Sequence, residues 1–164
     1  MNPISRSSEY AIRALTFLAL QGDQDRFFLA RDMAQELSIP APFLGKVLQP
    51  LVSRGLLISQ RGRRGGFKLA QEPKAITLFH IVDAEDHLGK PRVCFLGQAE
   101  CNDDRACPMH DYWKVKYDNF LLQLNSTSLL DLTAFCAKSP DGGYPAQIPP
   151  ALFQNAKADP RKLV

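Results

Sequence analysis

No stretch of this chain is apolar for long enough to cross a bilayer. A spanning helix needs about 20 predominantly apolar residues. The nearest approach, Ala14–Leu20, carries Thr16 and follows Arg13. No signal-peptide cleavage pattern accompanies it, so the protein is expected in the cytoplasm with no membrane partner. Charge of one sign is scarce as well: 20 basic against 17 acidic residues leave a net charge of +3. Any affinity for nucleic acid must therefore come from where the charges sit, not from their sum. No internal repeat is present, which removes solenoid architectures.

Cysteine is sparse too. Four residues cannot build a dense disulfide framework, and thiols stay reduced in a cytosolic protein. Three of the four nevertheless crowd into one stretch without helical or strand periodicity. Cys94, Cys101 and Cys107 are followed by His110 in the spacing C-x6-C-x5-C-x2-H. The residues between them, Asn102, Asp103, Asp104 and Arg105 among them, are not those of a buried apolar segment. Three thiolates and an imidazole suit either tetrahedral zinc or an iron–sulfur cluster, and spacing alone does not separate the two. A nucleophilic Cys107 with His110 as its base lacks a readable third orienting residue, so an enzyme is not expected. Cys136 lies on a short apolar segment and reads as a buried small hydrophobe. His80 and His87 have no cysteine near them and read as surface or structural residues.

The rest of the chain is mainly helical. Tyr10, Ala11, Ala14, Leu15 and Leu18 make one apolar face of a helix over about 7–21, with Ser5 or Ser7 as its cap. Leu29, Met33 and Leu37 mark a second helix over 30–37. A third starts near Pro42, turns Leu44, Val47, Leu48 and Leu51 inward, and ends at Gly55. Two short helices joined by the turn Ser38-Ile39-Pro40 match a helix-turn-helix. Pro50, inside the third helix, is expected to bend it or loosen its last turn. Two short strands follow, around the turn Gly62-Arg63-Arg64-Gly65-Gly66. A hairpin directly after a helix-turn-helix is a wing. Thr77 then caps a helix of about ten residues, and Pro108 opens a longer one reaching Leu124.

Two surfaces stand out beside the cysteines. Ala41, Pro42, Phe43, Gly45, Lys46 and Gln49 lie off the inward stripe of the third helix, where a recognition helix meets base edges. Arg61, Arg63, Arg64 and Lys68 place positive charge on the wing, beside glycines that let backbone approach a phosphate chain. Tyr112, Trp113, Tyr117, Phe120, Leu121 and Leu124 form a stripe too wide for so small a domain to cover. A second copy of the chain is the simplest partner for it. The division expected is a winged helix-turn-helix over 1–88, a cysteine loop over 89–107, a dimerisation helix and short closing helix over 108–136, and a flexible tail over 137–164.

These features together resemble the bacterial winged-helix iron–sulfur regulators typified by IscR and the nitric oxide sensor NsrR. The likeness runs from about Ser5 to Phe135. It is carried by Ser8-Glu9-Tyr10-Ala11-Ile12-Arg13, by Pro42-Phe43-Leu44 with Lys46-Val47-Leu48, and by Gly55-Leu56-Leu57 leading to Arg61-Gly62-Arg63-Arg64-Gly65-Gly66-Phe67-Lys68-Leu69. Ile76-Thr77-Leu78, the three cysteines and Ser126-Thr127-Ser128-Leu129 complete it. The resemblance implies a mainly α fold with a small β-wing, and a homodimer on double-stranded operator DNA. It implies a [2Fe-2S] or [4Fe-4S] cluster on Cys94, Cys101 and Cys107 that senses redox state, nitric oxide or iron status and sets repression or activation. The fourth ligand is His110 in this reading, with the partner subunit's Glu9 as the alternative. The six-residue first gap, Pro50 and Gly45 depart from the family pattern.

Overall fold

The structure, a computed structural model, describes residues 3–23, 25–62, 65–89, 93–138 and 144–145. Helix α1 (Arg6–Leu20) is its centre and packs on α2 (Ala30–Leu37), α3 (Ala41–Ser53), α4 (Leu78–Asp86) and α6 (Leu129–Lys138). Its predicted inward face, Tyr10, Ala11, Ala14, Leu15 and Leu18, is buried throughout. Ser5 is the cap, its hydroxyl accepting from the Ser8 N–H at 3.1 Å. The turn between α2 and α3 closes when Ser38 takes φ 52° and the Ile39 N–H reaches the Ala34 carbonyl at 2.9 Å.

Helix α3 runs through Pro50 without interruption. The proline costs one backbone bond, the N–H that would reach Lys46 O, but sits in the last turn, whose own carbonyls the cap satisfies. Arg54 N–H bonds Pro50 O at 2.9 Å, Gly55 N–H bonds Val52 O at 3.0 Å, and Leu56 N–H bonds Leu51 O at 2.9 Å. With Gly55 at φ +70° this is a Schellman ending, which satisfies the terminal carbonyls. The four inward residues of α3 are all buried, so packing holds the helix across the proline.

The wing is a two-stranded antiparallel sheet, β1 (Leu57–Gln60) and β2 (Gly66–Leu69), with Leu57 opposite Leu69 and Gln60 opposite Gly66. Phe28 adds a third rung: Phe28 and Phe67 exchange backbone hydrogen bonds at 2.9 and 2.8 Å. Two wing glycines have a reason nearer than a phosphate chain. A Cβ at Gly66 would stand 2.2 Å from Phe28 O, and Gly66 holds φ +129°. One at Gly65 would stand 2.1 Å from Gln60 O. Backbone crowding within the wing therefore requires glycine at both positions.

Thr77 and His80 form a capping box at the head of α4: His80 N–H to Thr77 Oγ1 at 3.4 Å, Thr77 N–H to His80 Nδ1 at 3.2 Å. The structural role read for His80 is this one. The same point staples the end of α5 (His110–Ser126) to the domain, through Leu78 N–H to Thr127 O at 2.9 Å and Leu129 N–H to Ile76 O at 2.7 Å. Helix α5 begins at His110, not Pro108. Residues 107–110 make a turn closed by His110 N–H on Cys107 O at 2.8 Å.

Four residues of the tail expected to be flexible over 137–164 are described. Helix α6 continues to Lys138, and Tyr144 and Pro145 are docked. The buried Arg13 donates from Nε to Pro145 O at 2.7 Å and from Nη2 to Leu37 O at the end of α2. The Tyr144 ring meets Phe135 edge-on at 6.0 Å.

Glu85 on α4 gives a pH test. Its Oε1 is buried with no hydrogen-bond partner among the described residues. Burial first, then the neighbouring Asp86 charge, lift its carboxyl to about 7. A carboxyl whose folded pKa lies above its unfolded value favours the fold when protonated, so stability falls as pH rises between the two values and is level above them. Glu85→Gln is expected to melt above the natural chain at about pH 8 and level with it at about pH 4, below both pKa values. Equal melting temperatures at the higher pH would contradict this.

Candidate metal centre and nucleic-acid interface

The loop holding the cysteines starts at Gly89, just beyond the end of α4, and runs to His110 at the head of α5. Its described residues have little regular structure beyond a 3-10 turn over Asp103–Arg105, capped by the Asn102 side chain accepting from Arg105 N–H at 3.0 Å. Cys94 is buried, while Cys101 and Cys107 are half-buried. Hydrogen bonds from the backbone N–H groups of Gln98, Leu96 and Gly97 favour the thiolate of Cys94. With a contact from the Cys107 side chain, they hold its pKa below the ordinary thiol value against the opposing effect of burial. Cys101 Sγ lies 3.7 Å from His110 Nδ1. Of the four predicted donors, Cys101 thus contacts His110, and the Cys107 side chain bears on Cys94. Among the described residues no three His, Cys, Asp or Glu side chains converge on a point that would hold a single metal ion. Three thiols and an imidazole are a donor set that an iron–sulfur cluster or a zinc ion would take.

Sequence reasoning missed two carboxylates here. Asp103 Oδ1 is 2.9 Å from His110 Nε2, and Lys114 Nζ bonds both Asp103 oxygens at 3.0 and 3.2 Å. The Lys114 hydrogen bond, then that of His110, holds the Asp103 carboxyl below the ordinary aspartate range. Asp83 on α4 accepts from Gly89 N–H at 2.6 Å through Oδ1 and faces Arg54, the C-cap of α3, at 3.5 Å through Oδ2. One side chain therefore touches both the first residue of the cysteine loop and the end of the recognition helix. Neither aspartate belongs to a motif, and no sequence signal pairs Asp83 with Arg54. Glu9 lies in the first turn of α1 and pairs with Arg6 at 3.3 Å.

At the other end of the domain, Ala41, Pro42, Phe43, Lys46 and Gln49 are exposed along the start of α3, and a Cβ at Gly45 would meet open space. Phe43 stands edge-on to Tyr10 at 5.5 Å, which fixes its ring at the surface. Arg61 is exposed on the wing, whereas Arg63 and Arg64 lie outside the described residues. Lys68 is committed elsewhere, paired with Asp25 at 3.1 Å and lying over the Phe27 ring at 5.2 Å.

Residues 4–134 match the Rrf2 family, described as an iron-dependent transcriptional regulator. The chain belongs to the Rrf2 family. A candidate HTH-type transcriptional regulator of Aquifex aeolicus is 35% identical over 130 residues, covering 78% of this chain and 89% of that protein. NsrR of Geobacillus kaustophilus is 29% identical over 131 residues, 79% of this chain and 88% of its own. The solved structure of CymR, the global cysteine regulator of B. subtilis, superposes with a TM-score of 0.67 at 26% identity, covering 82% of this chain and 98% of its own. The Rrf2 chain is a DNA-binding transcriptional regulator and not an enzyme, and its winged-helix fold is the one expected. No helix among its described residues is long and apolar enough to cross a membrane.

The α5 stripe of this Rrf2 chain divides. Leu124 is buried in its own chain and is unavailable to a partner, which corrects its place in the stripe. Trp113 Nε1–H bonds Val93 O at 2.9 Å and Tyr117 O–H bonds Leu88 O at 3.4 Å, so one ring braces the cysteine loop and the other the residue just before it. Phe120 and Leu121 are half-buried. Tyr112, Val115 and Leu122 are exposed by 59%, 57% and 67% and fall on one face at i, i+3 and i+10. Val115 and Leu122 escaped the sequence reading because a broad stripe does not say which edge the domain covers.

Proposed function

We propose that the chain is a homodimeric regulator whose grip on operator DNA is set by an iron–sulfur cluster held by Cys94, Cys101 and Cys107 with His110. The observation that supports this is the placing of the three thiols and the imidazole along one loop, with Cys101 Sγ 3.7 Å from His110 Nδ1. When bound, a cluster supplies an electron-accepting, oxidant-sensitive centre. Everything else belongs to the chain. Movement of the loop pulls on Gly89, Gly89 is held by Asp83, and Asp83 faces Arg54 at the end of α3. Trp113 and Tyr117 carry the same movement into α5, whose Tyr112, Val115 and Leu122 face would meet the second copy. A change in the angle between two recognition helices alters operator affinity, and the difference between the two states is the coupling energy.

Purified without oxygen, the protein is expected to be coloured and to contain iron and sulfide in comparable amounts. Colourless protein holding zinc would overturn the cluster in favour of a structural metal site. The contact between Cys94 and Cys107 favours a second reading, a cluster-free thiol switch. Metal-free protein that loses two titratable thiols on mild oxidation, with a matching change in DNA binding, would establish that one instead.

A further inference from the structure

His110 is 3% exposed, yet it sits at the start of a helix beside the protein surface. Its two ring nitrogens face different chemistry. Nε2 lies 2.9 Å from Asp103 Oδ1, and Nδ1 lies 3.7 Å from Cys101 Sγ. An ionised carboxylate only accepts hydrogen bonds, so the hydrogen belongs on Nε2. In the neutral ring Nδ1 then keeps its lone pair, pointed at the sulfur side. Asp103 is not free to rotate away. Lys114, one turn beyond His110 on α5, bonds both of its oxygens, and the Asn102 cap fixes the turn that carries it.

We propose that Asp103, clamped by Lys114, is a positioning residue that fixes the Nε2–H form of His110 and presents the Nδ1 lone pair to the cysteine loop as a metal ligand. This rests on the loop being a metal-cluster site. A carboxylate on the second nitrogen is how proteins commonly orient a ligating imidazole and strengthen it as a donor. Because Asp103 lies between Cys101 and Cys107, the segment that bears the thiols also sets the histidine. A loop that shifts would release His110 at the same moment.

The test uses the full chain with Asp103→Ala, an exposed position where the fold is expected to persist. In the metal-free, reduced protein, nitrogen NMR of the His110 ring is expected to show the Nε2–H form in the natural chain and a mixture in the variant. After anaerobic reconstitution, iron release to a ferrous chelator is expected to be about tenfold faster from the variant. The same tautomer balance in both chains overturns the proposal whether or not a cluster forms. A shifted balance with unchanged iron release overturns the ligand role of His110. If neither chain takes up iron, the cluster reading itself fails, while the ring spectrum still decides what Asp103 does.

Discussion

Arg13→Ala is expected to lower the melting temperature by roughly 10 °C. The guanidinium is 3% exposed and donates to Leu37 O and, at 2.7 Å, to Pro145 O, with the Tyr10 ring 5.7 Å from its carbon. Truncation leaves two buried carbonyls without that donor, at about 1–3 kcal/mol each. About 3 kcal/mol in total corresponds to roughly 10 °C in a chain of this size. The loss is not confined to heat stability. Leu37 O is the last carbonyl of α2, at the entrance to the turn that aims α3. Hydrogen exchange at the amides of residues 38 and 39 is expected to quicken more than at the wing. Arg13→Lys keeps the charge but cannot span both carbonyls, and should fall between. An alanine variant melting within about 2 °C of the natural chain would show that Arg13 is not a structural brace.

Cys101→Ala is expected to abolish iron binding rather than weaken it. A cluster that loses one of three thiolates has no spare cysteine in its loop, because the fourth, Cys136, lies on α6. The side chain is half-buried and small, so the apo fold should keep its stability within about 1 kcal/mol. The variant should bind DNA selected by the unmodified chain from a random pool with one fixed affinity, the same before and after exposure to air. The natural chain should differ between the two conditions. A variant that still holds iron, or still responds to air, would remove Cys101 from the site.

The helix-turn-helix and wing were legible because an apolar period of 3.6 and a glycine turn are local signals. So were the caps at Thr77 and Gly55, each defined within a few residues, while the cap of α1 was narrowed to Ser5 or Ser7. What stayed hidden depends on pairs far apart in the chain. Arg13 with Pro145, Asp83 with Arg54 and Phe28 with Phe67 are joined only by the fold. The start of α5 was misplaced by two residues because proline favours a first helical turn and a tight turn alike. Glycine at 65 and 66 suits a close approach to DNA, yet the nearest carbonyls within the domain already demand it.

The third rung at Phe28 has a bearing on how DNA would be read. Phe28 lies two residues before α2, and its backbone is bonded on both sides to Phe67 in β2. Wing and helix-turn-helix are therefore tied together and would meet a duplex as one stiff frame. A stiff frame leaves the adjustment to the DNA, so duplexes whose groove width and bend already match it bind at the lowest deformation cost. Base pairs that no side chain touches then contribute to the choice of site.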